Sequence, residues 1–189
     1  SAIDVVRKQP GVDPQRILLL GASEGTLLIA MAAARQPRGI AALVMYGVLA
    51  EPLPATFRYI MTDGAFLMYR RSFDTDGDGR ITQAEFDADP KHFRQRALGG
   101  TTLAILDINH DGVFSAEDIA VRTKRWLDAI DARDFDTLQL WARGGSAVSL
   151  PTGWFKDHFS QPPMWEFVKG LDMPIGLFQG DGDAMTPIA

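Results

Sequence analysis

The strongest constraint on this chain is a run of carboxylates spaced as ligands are spaced. With Asp74 as position 1 of a twelve-residue stretch, Asp76 and Asp78 fall at positions 3 and 5. Gly79 then takes position 6, Arg80 position 7, Thr82 position 9 and Glu85 position 12. A hard divalent cation takes about six to eight oxygens at roughly 2.3–2.6 Å, and alternating carboxylates on a tight loop converge on one point. Gly79 permits the sharp turn, and the Arg80 carbonyl supplies an oxygen whatever its side chain does. Thr82 is expected to act through a water, and Glu85 is long enough to chelate with both oxygens. Asp and Gly are also ordinary turn residues. An acidic turn, however, has no need to fill every one of these positions.

The spacing begins again 33 residues later, with Asp107, Asn109, Asp111, Gly112, Val113, Ser115 and Asp118. Both stretches resemble the EF-hand loop, which implies calcium at each and a short strand contact between the position-8 residues, Ile81 and Phe114. The second loop departs from the pattern at position 12, where Asp118 is shorter than a glutamate. Asn109 also removes one ligand charge. Both changes make it the expected weaker site. His110 falls at a non-ligand position and is expected to face solvent. An aspartate at position 12 also resembles dockerin modules, but Glu85 and the longer linker here break that pattern.

Around the loops the apolar pattern changes character. Residues 16–20 and 40–48 are continuous apolar runs, expected as strands buried on both faces of a parallel sheet, with a helix at 25–35 between them. Residues 173–179 restore that pattern near the end. From about 52 to 170 the chain reads as helices and loops, with helices at 57–62, 65–73, 83–88, 116–132 and 134–143. The expected fold class is therefore α/β. Residues 1–50 and 171–189 form the sheet, 51–170 form a helical insertion, and the loop pair occupies about 64–132.

Gly21-Ala22-Ser23-Glu24-Gly25 fits G-x-S-x-G and sits directly between an apolar strand and a helix, the context of a nucleophile elbow. Ser23 at a helix start also reads as an N-cap, and Glu24 as an acid favoured by the helix dipole. Residues 12–25 resemble α/β hydrolases, especially serine aminopeptidase-like esterases. So do Trp154-Phe155, Leu171–Ile175 and the Gly180-x-x-Asp183-x-x-Thr186-Pro187 spacing. The resemblance implies Ser23 as nucleophile, Asp183 as the triad acid with Asp181 its rival, and the Glu24 N–H as an oxyanion donor. It also makes the insertion a lid. The substrate class implied for the parent protein is a small ester or amide.

The triad histidine of that family follows the acid in chain order. Here His92, His110 and His158 all precede Asp183. The chain is thus expected to be the middle part of a larger hydrolase, inactive alone, with open sheet edges that favour self-association. The competing expectation is a calcium-binding interaction module without catalysis.

Composition narrows the remaining classes. A hydrophobic fraction of 46% with 10% aromatics belongs to a folded chain, and 189 residues suffice for one core plus a small module. The net charge of −5 argues against a nucleic-acid surface. The absence of cysteine excludes disulfides and thiolate chemistry. No apolar run approaches the roughly 20 residues of a membrane span. The N-terminal residues lack a signal-peptide layout, while the calcium loops lean towards a periplasmic or secreted setting.

Overall fold

The computed structural model describes residues 1–145 and 150–186, and of residues 95–96 and 143–145 the backbone alone. In chain order the elements begin α1 (Ala2–Arg7), β1 (Ile17–Ala22), α2 (Glu24–Arg35), β2 (Ile40–Tyr46), α3 (Leu53–Met61) and α4 (Asp63–Phe73). They continue β3 (Ile81–Thr82), α5 (Gln83–Ala88), α6 (Phe93–Ala97), α7 (Leu103–Leu106), β4 (Val113–Phe114) and α8 (Ala116–Ala132). The last are α9 (Phe135–Gly145), α10 (Thr152–Phe159), α11 (Trp165–Val168) and β5 (Ile175–Phe178). The chain divides into two compact units, one formed by Ser1–Thr56 with Gln161–Ala189 and the other by Phe57–Ser160.

The first unit is mixed α/β. Its three strands are parallel in the order β1-β2-β5, so β2 is central and the two others are edges. Leu43 and Met45 of β2 are fully buried, and they pack with Leu27, Ala30 and Ala33 of α2 and with Met164. The other face of the same strands corrects the expectation of two-sided burial. Leu18 and Leu20 are 56% and 63% exposed, and Tyr46 and Phe178, paired in register, are 51% and 63% exposed. An unbroken apolar run makes burial favourable on both faces, but it does not itself supply the second covering layer.

The second unit is helical around a two-stranded antiparallel contact. Ile81 of β3 pairs with Phe114 of β4, and both are fully buried. They join Phe66, Phe73, Phe86, Leu103, Leu106 and Ile119 in one core. Edge-to-face rings lock it, with Tyr69 4.8 Å and Phe66 5.7 Å from Phe114. A separate aromatic group centres on Phe57, which meets Trp141 at 5.3 Å and Phe155 at 5.6 Å. Helices α6 and α10 lie in stretches without a clear apolar period. Helix α9 runs through Gly144 and Gly145 instead of stopping before them, since glycine's cost in a helix is only about 1 kcal/mol.

Candidate functional site

Each acidic stretch lies between two helices, α4 and α5 for the first and α7 and α8 for the second. The backbone bends at position 6 in both, where Gly79 has φ +81° and Gly112 φ +88°. At position 4, Gly77 has φ +80° and His110 φ +60°, so the turn is the same and the exposed histidine bears its strain.

Hydrogen bonds repeat position by position. The position-1 carboxylates each accept the N–H of position 6, Asp74 from Gly79 at 3.1 Å and Asp107 from Gly112 at 2.9 Å. At position 3, Asp76 accepts from Asp78 N–H and Asn109 from Asp111 N–H, both at 3.1 Å. At position 5, Asp78 accepts from Arg80 N–H at 2.7 Å and Asp111 from Val113 N–H at 3.2 Å.

The position-12 acids close the loops. Glu85 accepts the N–H groups of Thr75 at 2.8 Å and Thr82 at 3.0 Å, and Asp118 those of Ile108 at 2.7 Å and Ser115 at 2.8 Å. These residues are also capping boxes, with Thr82 and Ser115 as N-caps of α5 and α8 and the acids three residues on. The T-x-x-E and S-x-x-D spacings carried that signal in the sequence. The N–H donors of Thr82 and then Thr75 hold the Glu85 carboxyl down to a pKa of about 2.

Carboxylate oxygens of Asp74, Asp76 and Asp78 lie within 4.8 Å of one another. With the Arg80 carbonyl and Glu85 in the same loop, this all-oxygen donor set suits a hard cation. Two arginines meet acids of the loops, at position 1 of the first and position 5 of the second, a feature that spacing alone did not reveal. Arg70 Nε donates to Asp74 Oδ2 at 3.3 Å, and Arg80 Nη2 to Asp111 Oδ2 at 3.4 Å.

In the α/β unit, Ser23 occupies the turn between β1 and α2 with φ 49° and ψ −122°, a conformation side chains rarely adopt. Its side chain is exposed and makes no capping bond to α2. Its N–H donates to Tyr46 O at 3.1 Å, while its carbonyl accepts from Thr26 N–H and hydroxyl at 2.9 and 2.7 Å. Glu24 opens α2, so its N–H is among the first-turn donors that lack an intrahelical acceptor. Of the two motif glycines, only Gly21 meets a steric limit. A Cβ there would lie 2.5 Å from Gly25 O, whereas one on Gly25 would meet nothing within 4 Å.

Asp183 lies in the same pocket as Ser23, an open cleft of ≈ 780 Å³ whose lining also includes Tyr46, Gly47, Phe178 and Met185. Asp181 does not line it. Asp183 Oδ2 and Ser23 N both come within 4 Å of the point where a Gly47 Cβ would sit, at 3.7 and 3.8 Å. Asp183 Oδ1 accepts from Met185 and Thr186 N–H at 2.8 and 3.0 Å, and Oδ2 from the Thr186 hydroxyl and Gln179 Nε2 at 2.6 and 3.0 Å. Burial pushes this carboxyl up, but those donors outweigh it and keep the pKa below the ordinary aspartate value. Gln179 also accepts Val48 N–H at 2.6 Å, which ties the Asp183 turn to the segment after β2. No motif announced Gln179. Pro187 of the expected spacing lies outside the described residues.

All three histidines belong to the helical unit. His92 lines a pocket with Asp87, Asp89 and Arg94. His158 lies flat on Trp154 at 4.1 Å, its Nδ1 2.9 Å from Trp154 O. None shares a unit with Ser23 and Asp183. Among the described residues no helix is long and apolar enough to cross a membrane. No protein-family model, curated protein or solved structure matches the chain.

Proposed function

We propose that the helical unit binds calcium through its two loops, as a paired EF-hand module. The observation that carries this reading is the repetition of one hydrogen-bond scheme in both loops, closed in each by a position-12 acid on the amides of positions 2 and 9. In the first loop Asp74, Asp76, Asp78, the Arg80 carbonyl and Glu85 would hold the ion. In the second these roles fall to Asp107, Asn109, Asp111, the Val113 carbonyl and Asp118. The ion supplies positive charge, which relieves repulsion among acids gathered on one loop. The 107–118 loop is the weaker one, with the shorter acid at position 12 and one charge fewer.

Calorimetric titration with calcium, repeated on Asp74→Ala and Asp107→Ala, tests the reading. Two binding events that vanish one at a time support it. A native chain that takes up no calcium rejects it.

A second reading concerns the α/β unit, as part of a serine hydrolase of ester or amide bonds with the calcium module inserted in its lid. The Ser23 backbone, at φ 49° and ψ −122° with the hydroxyl exposed, favours it. Ser23 is the nucleophile in this reading, the Glu24 N–H an oxyanion donor and Asp183 the acid. A serine without a base is a poor nucleophile, and the unit holds no histidine. A fluorophosphonate probe is therefore expected to label Ser23 of this chain slowly or not at all. Rapid Ser23-dependent labelling would show that a base is already in place.

A further inference from the structure

Arg80 belongs to one loop through its backbone and to the other through its side chain. Its N–H donates to Asp78 within the 74–85 loop at 2.7 Å, while its guanidinium reaches Asp111 Oδ2 of the 107–118 loop at 3.4 Å. The β3–β4 pairing brings this about, since Ile81 and Thr82, which follow Arg80, pair with Phe114 and Val113. Arg70 offers a contrast. It also meets a ligand-position acid, Asp74, but from the helix leading into that same loop.

We propose that Arg80 is a built-in competitor for the cation at the 107–118 loop, supplied by the neighbouring loop. The inference rests on the calcium reading above. With no ion bound, the guanidinium offsets the charge of Asp111 and steadies the loop. An arriving cation needs Asp111 at the same position and is repelled by the guanidinium, so the pair must open. This lowers affinity at the 107–118 loop, beyond the effects of Asn109 and Asp118. At the 74–85 loop Arg80 contributes a carbonyl, which is present whatever the side chain. The Arg80 and Asp111 side chains are 52% and 34% exposed, so solvent screens the pair and its effect is modest.

The experiment is calcium calorimetry on the full chain carrying Asp74→Ala, so that only the 107–118 loop responds, with Arg80 native, Arg80→Gln or Arg80→Lys. Arg80→Gln is expected to tighten binding about two- to five-fold, and Arg80→Lys, which keeps the charge, to stay within about 1.5-fold of native. Added salt should narrow the difference between native and Arg80→Gln, because it screens an exposed pair. Melting in chelator checks that each variant is folded. Unchanged or weakened binding in a folded Arg80→Gln chain overturns the proposal. No calcium uptake by the native chain overturns instead the reading on which it rests.

Discussion

Thr82 and Glu85 hold one another across the first turn of α5. Glu85 Oε2 accepts the Thr82 N–H at 3.0 Å and its hydroxyl at 2.9 Å, and the Thr82 hydroxyl faces the Glu85 N–H at 3.3 Å. The residue expected to chelate with both oxygens is therefore already the partner of a helix cap. Ser115 and Asp118 repeat the arrangement at α8, with Asp118 fully buried. In the proposed calcium reading, helix capping and ion binding draw on the same carboxylate, and substitutions can separate the two.

Glu85→Gln keeps an acceptor suited to a capping box but removes the charge. Calcium affinity of the 74–85 loop should fall at least about ten-fold, as expected when a bidentate acid is lost. Metal-free stability at neutral pH should fall as well, because a neutral amide accepts the Thr82 and Thr75 N–H groups less well than the carboxylate does. Thr82→Ala should cost the metal-free protein about 1 kcal/mol while leaving the Glu85 carboxylate in place. Calorimetry and urea denaturation in chelator read the two effects separately.

Acid should weaken the metal-free helical unit in a defined window. Glu85 has a folded pKa of about 2 against an ordinary 4.5, held down by the Thr82 and Thr75 N–H groups. A depressed folded pKa contributes stability that is fully present above the ordinary value and is lost as pH falls through the folded one. Denaturation in chelator should show stability declining from about pH 4.5 towards about pH 2, with a shallower slope in Glu85→Gln. Equal slopes in the two proteins would remove Glu85 from the acid response.

The two glycines of the serine turn should behave oppositely. Gly21→Ala places a Cβ 2.5 Å from backbone oxygen, which neither β1 nor α2 can yield cheaply, and should cost about 1–3 kcal/mol or more. Gly25→Ala meets open space inside a helix and should be neutral or stabilising by up to about 1 kcal/mol. Thermal unfolding of the two variants decides it, and equal penalties would contradict the close approach at Gly21.

Phe114 joins the strand contact to the aromatic core, and Phe114→Ala should cost about 3–5 kcal/mol. Because Phe114 pairs with Ile81, calcium binding should weaken at both loops. A loss confined to the 107–118 loop would show that the loops act separately.

What could be read from the residues alone was local. Ligand spacing, the glycine at position 6 and the capping hydroxyl all lie within twelve consecutive residues, so backbone geometry over that span dictates how they fold. The apolar runs at 16–20, 40–48 and 173–179 likewise announced strands, because each run is its own signal. The unmatched pieces depend on residues far apart. Gln179 reaches Val48, 131 residues away in sequence, and Arg80 reaches Asp111, 31 residues away. The exposed face bearing Leu18 and Leu20 belongs with them. A sequence records which side chains gain from burial or pairing. Which surface or partner meets them is settled by packing between distant segments, and only the tertiary structure decides that.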